Sequence, residues 1–380
     1  MLRKTVFWLH LVAGLIVGLV IAVMAFTGTT LAFEKELVAW AERDARRVTP
    51  PPDATRLPLS ELLHRARAAA PDAKLSGVSL SIDPAAAVPV TFGRDDLYFV
   101  NPYTGEVRQP ASQRVRDCLH FTESIHRQLG LTSDARKPLG RAITGACSAT
   151  FLILSLSGLY LWWPRNLSWR GLKAIAIFNL RLTGKARDFN WHNAIGLWAA
   201  PFLILTTLTA LPMSYRWATN LLYTATGNTP PVSGARAPAV PVPPPPPAAK
   251  PLGHDALLAA AQREYPNWSY ISFRFGHESA KEPKPQAVNV MVKTHAQWPL
   301  FAPAILALDP FTGAALKKEV FAEQNAGQRL RRWARYLHTG EALGTPGKLA
   351  VTFAALAALL LVYTGVALAW RRFLTRSSVS

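Results

Sequence analysis

The sequence predicts an α-helical membrane protein with four transmembrane helices, built as two tandem helix–domain–helix repeats with two α+β domains outside the membrane. Three observations carry this. Four apolar runs are long enough to cross a bilayer, the short segments beside them are densely basic, and the same turn and helix-end motifs occur in both halves of the chain.

The apolar runs are Thr5–Phe33, Ala142–Trp163, Ala194–Met213 and Leu349–Trp370. Each approaches or exceeds the roughly 20 residues that a helix needs to cross the hydrocarbon core. None contains an acidic residue, and Pro201 and Pro212 are tolerable in a spanning helix. The first run is too long for the apolar region of a cleaved signal peptide and is followed by no clean cleavage site, so it reads as a retained helix. The expected division is helix one at 1–33, outer domain one at 34–137 and helix two at 138–164. A basic loop at 165–189 leads to helix three at 190–215. Outer domain two at 216–345 includes a Pro-rich linker at 230–251, and helix four at 346–372 precedes a tail at 373–380.

Charge sets the orientation. The chain has 42 Lys and Arg against 23 Asp and Glu, a net charge of +19 over 380 residues. Much of the excess sits in three short segments. Arg3 and Lys4 precede the first span; Arg165, Arg170, Lys173, Arg181, Lys185 and Arg187 lie between spans two and three; Arg371, Arg372 and Arg376 follow the fourth. Asp188 is the one acid among them. The positive-inside rule makes these segments cytoplasmic, with both termini inside and the two long segments outside, in a bacterial-type inner membrane. The basic balance therefore points to membrane lipids as its partner, and nucleic acid is not expected as one. Cys118 and Cys147 fall in different environments, so no disulfide is expected.

The outer segments repeat. Asn101-Pro102-Tyr103-Thr104-Gly105 reappears as Asp309-Pro310-Phe311-Thr312-Gly313. Each follows a strand-like run, Leu97–Val100 or Ala304–Leu308, and an earlier amphipathic helical stretch, Leu59–Ala70 or His254–Tyr265. The motif reads as a turn with its glycine at positive φ. The spans repeat as well. His10 precedes Thr27-Gly28 by the interval that separates His192 from Thr209-Ala210, and Ser157-Gly158 near the end of span two corresponds to Thr364-Gly365 near the end of span four. Two copies in the same orientation relate by a pseudo-twofold axis along the membrane normal.

Histidine recurs near the start of every span: His10, His126, His192 and His338, followed four residues later by Gly14, Gly130, Gly196 and Ala342. A small residue one turn on leaves a flat space beside the imidazole, which a haem macrocycle requires. Small-residue helix packing accounts for the glycines, but not for four histidines. His10 and His192 belong near the cytoplasmic face, His126 and His338 near the outer one. The helix from His10 to Thr27 rises about 25 Å, too far for one iron to take ligands from both faces. The expectation is two bis-histidine haems, His10 with His192 and His126 with His338, with His120 as an alternate outer ligand. Without a C-x-x-C-H motif the haems are b-type. His64, His254, His277 and His295 read as ordinary residues of the outer domains, and Met24 and Met213 as apolar packing. Arg127, Arg329, Arg331, Arg332 and Arg335 gather at the outer boundary, either as interface anchors or as partners for haem propionates or a soluble acceptor. Trp268, Trp298 and Trp333 are candidate stacking surfaces.

The repeated Pro-aromatic-Thr-Gly turns, the His-x3-Gly helix starts and the Thr-Gly … Trp-Arg-Arg helix ends resemble the PepSY-associated transmembrane family over essentially the whole chain. The resemblance implies that the outer domains are PepSY-like. Family members include inner-membrane reductases of ferric siderophores, and the length and two-domain layout look most like the two-haem ferrioxamine reductases. It further implies a periplasmic ferric siderophore as substrate, with release of Fe(II). The segment Leu131–Lys137 lengthens the connection after the first domain relative to the second, and leaves the depth of His126 open.

No dinucleotide fingerprint occurs in the cytoplasmic segments, so the electron donor is a separate cytoplasmic protein or a quinol. A siderophore permease is a second reading, but the spans lack the charged lining a polar path needs. A non-catalytic module that binds or restrains a periplasmic peptidase is a third, and it makes no use of four histidines.

Overall fold

The computed structural model describes residues 1–93, 96–110, 112–164, 168–232, 240–245, 249–275, 285–295 and 297–373. In chain order its elements are α1 (Leu2–Leu31), α2 (Glu34–Ala41), α3 (Arg43–Arg46), α4 (Leu59–Ala69), β1 (Leu75–Ser81), β2 (Val88–Phe92), β3 (Asp96–Val100) and β4 (Val107–Arg108). There follow α5 (Gln113–Gln128), α6 (Lys137–Trp162), α7 (Trp169–Ala176), α8 (Gly184–Ser214), α9 (Arg216–Thr224) and α10 (His254–Glu264). The chain closes with β5 (Trp268–Arg274), β6 (Val288–Thr294), β7 (Ala304–Leu308), β8 (Ala315–Glu319), α11 (Ala326–His338) and α12 (Gly344–Phe373). These elements form two compact units. One comprises Met1–Glu34, Asp117–Pro230 and Ala326–Ser380, the other Lys35–Arg116 and Pro231–Asn325.

In the first unit α1, α6, α8 and α12 are long and apolar enough to cross a membrane, as expected. They pack in a ring in which α1 touches α6 and α12, and α8 touches the same two. That arrangement sets α1 and α8 on one diagonal and suits the inferred twofold. Val17 and Ile21 of α1, Cys147 and Leu154 of α6, Ile195, Ala199 and Leu203 of α8, and Ala354, Ala357 and Ala358 of α12 fill the middle. The alanines let the helices approach closely.

Two features depart from the expected division. Residues 117–136, 216–230 and 326–345, assigned above to the outer domains, belong to the helical unit. His126 and His338 do not lie on spanning helices but near the ends of the separate amphipathic helices α5 and α11. Each of these helices folds back on the span that follows. A side chain at Gly140 would run into the carbonyl oxygen of Gln128 at the end of α5, and one at Gly347 into that of Gly340, just past α11. The two hairpins are closed by the same device.

In the second unit the two expected α+β domains share one sheet, the first segment contributing β1–β4 and the second β5–β8. Among the described residues its eight strands run β4-β3-β2-β1-β5-β6-β7-β8, antiparallel throughout, and β1 pairs with β5 at the centre. Ser79 opposes Ser272 there, and the pairs to either side are Val78 with Phe273 and Leu80 with Ile271. The order is palindromic about that junction. One face packs beneath α4 and α10 through Leu62, Leu63, Val78, Phe92, Leu257, Ile271, Phe273 and Leu306. The Oδ1 of Asp255 on α10 accepts the backbone N–H of Leu59 at the start of α4 at 2.6 Å.

Both repeated turns form as expected, with Gly105 at φ 73° and Gly313 at φ 71°. Oδ1 of Asn101 accepts the N–H of Tyr103 at 2.9 Å, and Oδ1 of Asp309 that of Phe311 at 2.7 Å. Edge strand β4 is two residues long and edge strand β8 carries Lys317 and Lys318, both of which discourage pairing with another sheet. Glu42 is buried and held by Arg46 and Arg116.

Candidate functional site

The four predicted histidines lie in two layers of the helical unit. His10 on α1 leans on α6, where its Nδ1 stands 2.9 Å from Ser157 Oγ. His192 on α8 leans on α12, 2.8 Å from Thr364 Oγ1. His126 on α5 leans on α1, with Nδ1 2.9 Å from the Met24 carbonyl and 3.1 Å from Thr27 Oγ1. His338 on α11 leans on α8, 2.8 Å from the Thr206 carbonyl. Within each repeat the two histidines therefore clamp its own pair of spans.

The carbonyl partners fix the tautomer of two rings, and the hydroxyl partners of the other two suit the same one. A carbonyl only accepts, so His126 and His338 carry their proton on Nδ1. Ser157 and Thr364 already donate their hydroxyls, to the carbonyls of Leu154 and Leu360 at 3.2 and 2.7 Å. They accept from His10 and His192 in turn. All four rings thus hold Nδ1–H in a hydrogen bond and leave the Nε2 lone pair available, the pattern typical of metal-ligating imidazoles.

The rings also pair. The centroids of His126 and His338 are 6.5 Å apart at an interplanar angle of 58°. A metal bound at about 2.0 Å by an imidazole nitrogen lies roughly 3.2 Å from the ring centre, so two rings sharing it would stand roughly 6.4 Å apart. Desolvation holds both imidazoles below their ordinary range, His126 down to about 4, and the charge of His338 adds to the effect on His126. Neutral rings are the ligating form. His10 and His192 stand on the diagonally placed helices α1 and α8. Met24 lies fourteen residues from His10, and Thr206 fourteen from His192, which separates the layers by about 21 Å along the helices.

Glycines flatten the surface beside the rings, though not all those expected. A Cβ at Gly28 would lie 3.2 Å from His126 Cε1, one at Gly158 3.4 Å from His10 Cε1, and one at Gly365 3.5 Å from His192 Cε1. Gly14 faces open space, which suits a large planar group beside His10. The expectation of a flat space one turn after each histidine holds at Gly14 alone, since a Cβ at Gly196 would meet Leu361 at 3.7 Å and the other layer places its small residues elsewhere. Gly130, at φ 72°, closes α5, and Ala342 is buried in a separate 3-10 turn. The sequence reading missed the roles of Thr27, Ser157 and Thr364, although the repeated Thr-Gly and Ser-Gly pairs marked their positions.

His120 is exposed on α5, and the ring that faces His338 is that of His126. His64 and His295 are exposed, and His254 packs edge-on against Phe275; His277 lies outside the described residues. Met24 contributes its carbonyl, and Met213 is exposed. Arg127 pairs with Glu123 at 2.7 Å, and Arg335 lies over Tyr336. Arg329 and Arg331 are exposed on α11, which also carries Arg332 and Trp333. Trp268 and Trp298 belong to the sheet unit, where Trp298 is exposed. Cys118 and Cys147 are both free.

Four spanning helices with a sheet-bearing α+β unit define an α-helical membrane protein. The chain belongs to the family described as the PepSY-associated TM region, which matches it over residues 7–372. A comparison with curated proteins finds no match.

Proposed function

We propose that this protein is a di-haem b reductase of the bacterial inner membrane, which moves electrons across the bilayer to reduce a ferric siderophore in the periplasm and release Fe(II). The observation that carries the reading is the common placement of four histidines: each engaged through Nδ1, in two layers at opposite ends of the bundle. His10 and His192 would hold one haem and His126 and His338 the other. Bound there, the haems would supply one-electron chemistry.

The chain's own contribution is position and access. Ser157, Thr364, Thr27 and the carbonyls of Met24 and Thr206 orient the imidazoles, which raises their basicity toward a metal. The apolar layer around Val17, Ile195 and Ala358 excludes water between the two layers. The electron donor is a cytoplasmic protein or a membrane quinol, and the proposed substrate rests on the family resemblance.

An absorption spectrum of the detergent-purified protein, oxidised and reduced and with quantified haem, tests this reading. Two haems per chain with low-spin, six-coordinate bands are expected. Absence of haem after expression with ample haem supply overturns the reading and favours a non-catalytic module that restrains a peptidase.

A further inference from the structure

Among the described residues of the helical unit, two buried indole N–H groups have no acceptor in the chain: those of Trp162 and Trp191. Buried donors in folded proteins are nearly always paired, and an indole nitrogen can only donate. Both belong to the layer of His10 and His192. Trp191 directly precedes His192 on α8. Trp162 lies one helical turn beyond Gly158, the glycine against which the His10 ring rests, so it continues that face of α6. The acceptor that would complete them is an oxygen entering this layer from outside the chain.

The surroundings specify its charge. The guanidinium of Arg187 lies over the Trp191 ring, 5.5 Å from its centroid. Arg3 donates to the Leu161 carbonyl beside Trp162, and Arg372 covers Phe7 and Trp8 at 4.9 and 5.0 Å. Asp188 is already engaged on both oxygens, Oδ1 by Arg187 at 2.8 Å and Oδ2 by Arg371 at 3.1 Å. Positive charge and unpaired donors thus meet in one layer that has no spare carboxylate among its described residues.

We infer that Trp162 and Trp191 donate hydrogen bonds to the carboxylate side arms of the group held by His10 and His192, and so fix how that group is turned in the bundle. The inference rests on the haem reading and assigns to this chain the residues that would receive the propionates of one haem. Phenylalanine keeps the ring and removes the donor. The propionate charge is then less stabilised, which favours ferric over ferrous iron and lowers the midpoint potential of that haem alone.

The test is redox titration of full-length W162F and W191F in detergent, with W163F at the neighbouring exposed tryptophan as the control. Expected for W162F and W191F are two retained low-spin haems, with a roughly threefold change in the ferric-to-ferrous preference of one. That is a fall of about 28 mV at 59 mV per tenfold for one electron, with the second haem and W163F unchanged. Wild-type midpoints in both variants overturn the inference and leave the indoles to ordered water. A second readout needs no substitution: the indole N–H vibrations of the wild type should shift between apoprotein and haem-loaded protein, and no shift overturns the inference. A wild-type protein without haem overturns the parent reading itself, so the two failures are distinct.

Discussion

The two histidine layers reach the same chemical state by different construction. His10 and His192 sit on spanning helices and hydrogen-bond to side-chain hydroxyls of the neighbouring span. His126 and His338 sit on amphipathic helices that fold back against the bundle, and both reach main-chain carbonyls. The first layer depends on two side chains that a point mutation can delete. The second depends on hairpin geometry, which only backbone displacement can disturb. The tautomer is the common requirement, and the supporting parts differ.

The largest expected effect breaks the layers apart. His10→Ala or His192→Ala should remove about one haem per chain, and His126→Ala or His338→Ala the other, as counted by reduced-minus-oxidised spectra. Loss of both haems from every variant would dissolve the pairing into a single coupled site. Next come the hairpins. Gly140→Val or Gly347→Val forces a side chain into a carbonyl of the folded-back helix, and should deplete the His126–His338 haem while sparing the other. The two sites should be distinguishable by their midpoint potentials.

A smaller effect sharpens the contrast in acceptors. Ser157→Ala and Thr364→Ala should weaken haem retention in the first layer by about 10- to 100-fold, the usual cost of losing a partner behind a metal-bound histidine. Thr27→Ala should do less, because the Met24 carbonyl still holds His126. Competition with apomyoglobin for haem measures all three.

The smallest effect on haem tests whether the sheet unit matters to either layer. Burial raises the Glu42 carboxyl pKa, but hydrogen bonds from Ser112, Arg116 and Arg46 outweigh it and hold the group below its usual range. A depressed folded-state pKa contributes stability above the unfolded value and loses it as pH falls through the folded one. Glu42→Gln should therefore cost on the order of 2 kcal/mol at neutral pH, less than a fully buried pair because both arginines are partly exposed. The deficit should shrink as the pH drops below about 4, as followed by thermal unfolding. Haem content should not change.

What the sequence revealed follows from how locally each feature is encoded. The spans announce themselves by length and composition, and the Asn101 and Asp309 turns by a glycine that must take positive φ. The four histidines drew notice because one recurs four residues before a small residue in both repeats, although Gly130 and Ala342 do not lie beside the rings. The fused sheet was not legible, because Ser79 meets Ser272 across 193 residues of chain and no local pattern records a partner so distant. The helices of His126 and His338 were misassigned for a different reason. Their polar, arginine-bearing sequences resemble a soluble domain, and only packing reveals that one face turns to the bundle. The hydroxyl partners were present as repeated Ser-Gly and Thr-Gly pairs, but a threonine in an apolar helix ordinarily bonds its own backbone, as Thr206 and Thr207 do here.

The fourteen-residue offset between the layers has an electrical consequence. About 21 Å of helix is some two-thirds of a hydrocarbon core roughly 30 Å thick. In the proposed function, an electron passing from one layer to the other crosses most of the membrane voltage. With the inside negative, the field works in its favour by about 1.6 kcal/mol for each 100 mV. An energised membrane would thus drive outward reduction harder than a depolarised one, with no moving part in the protein to sense the difference.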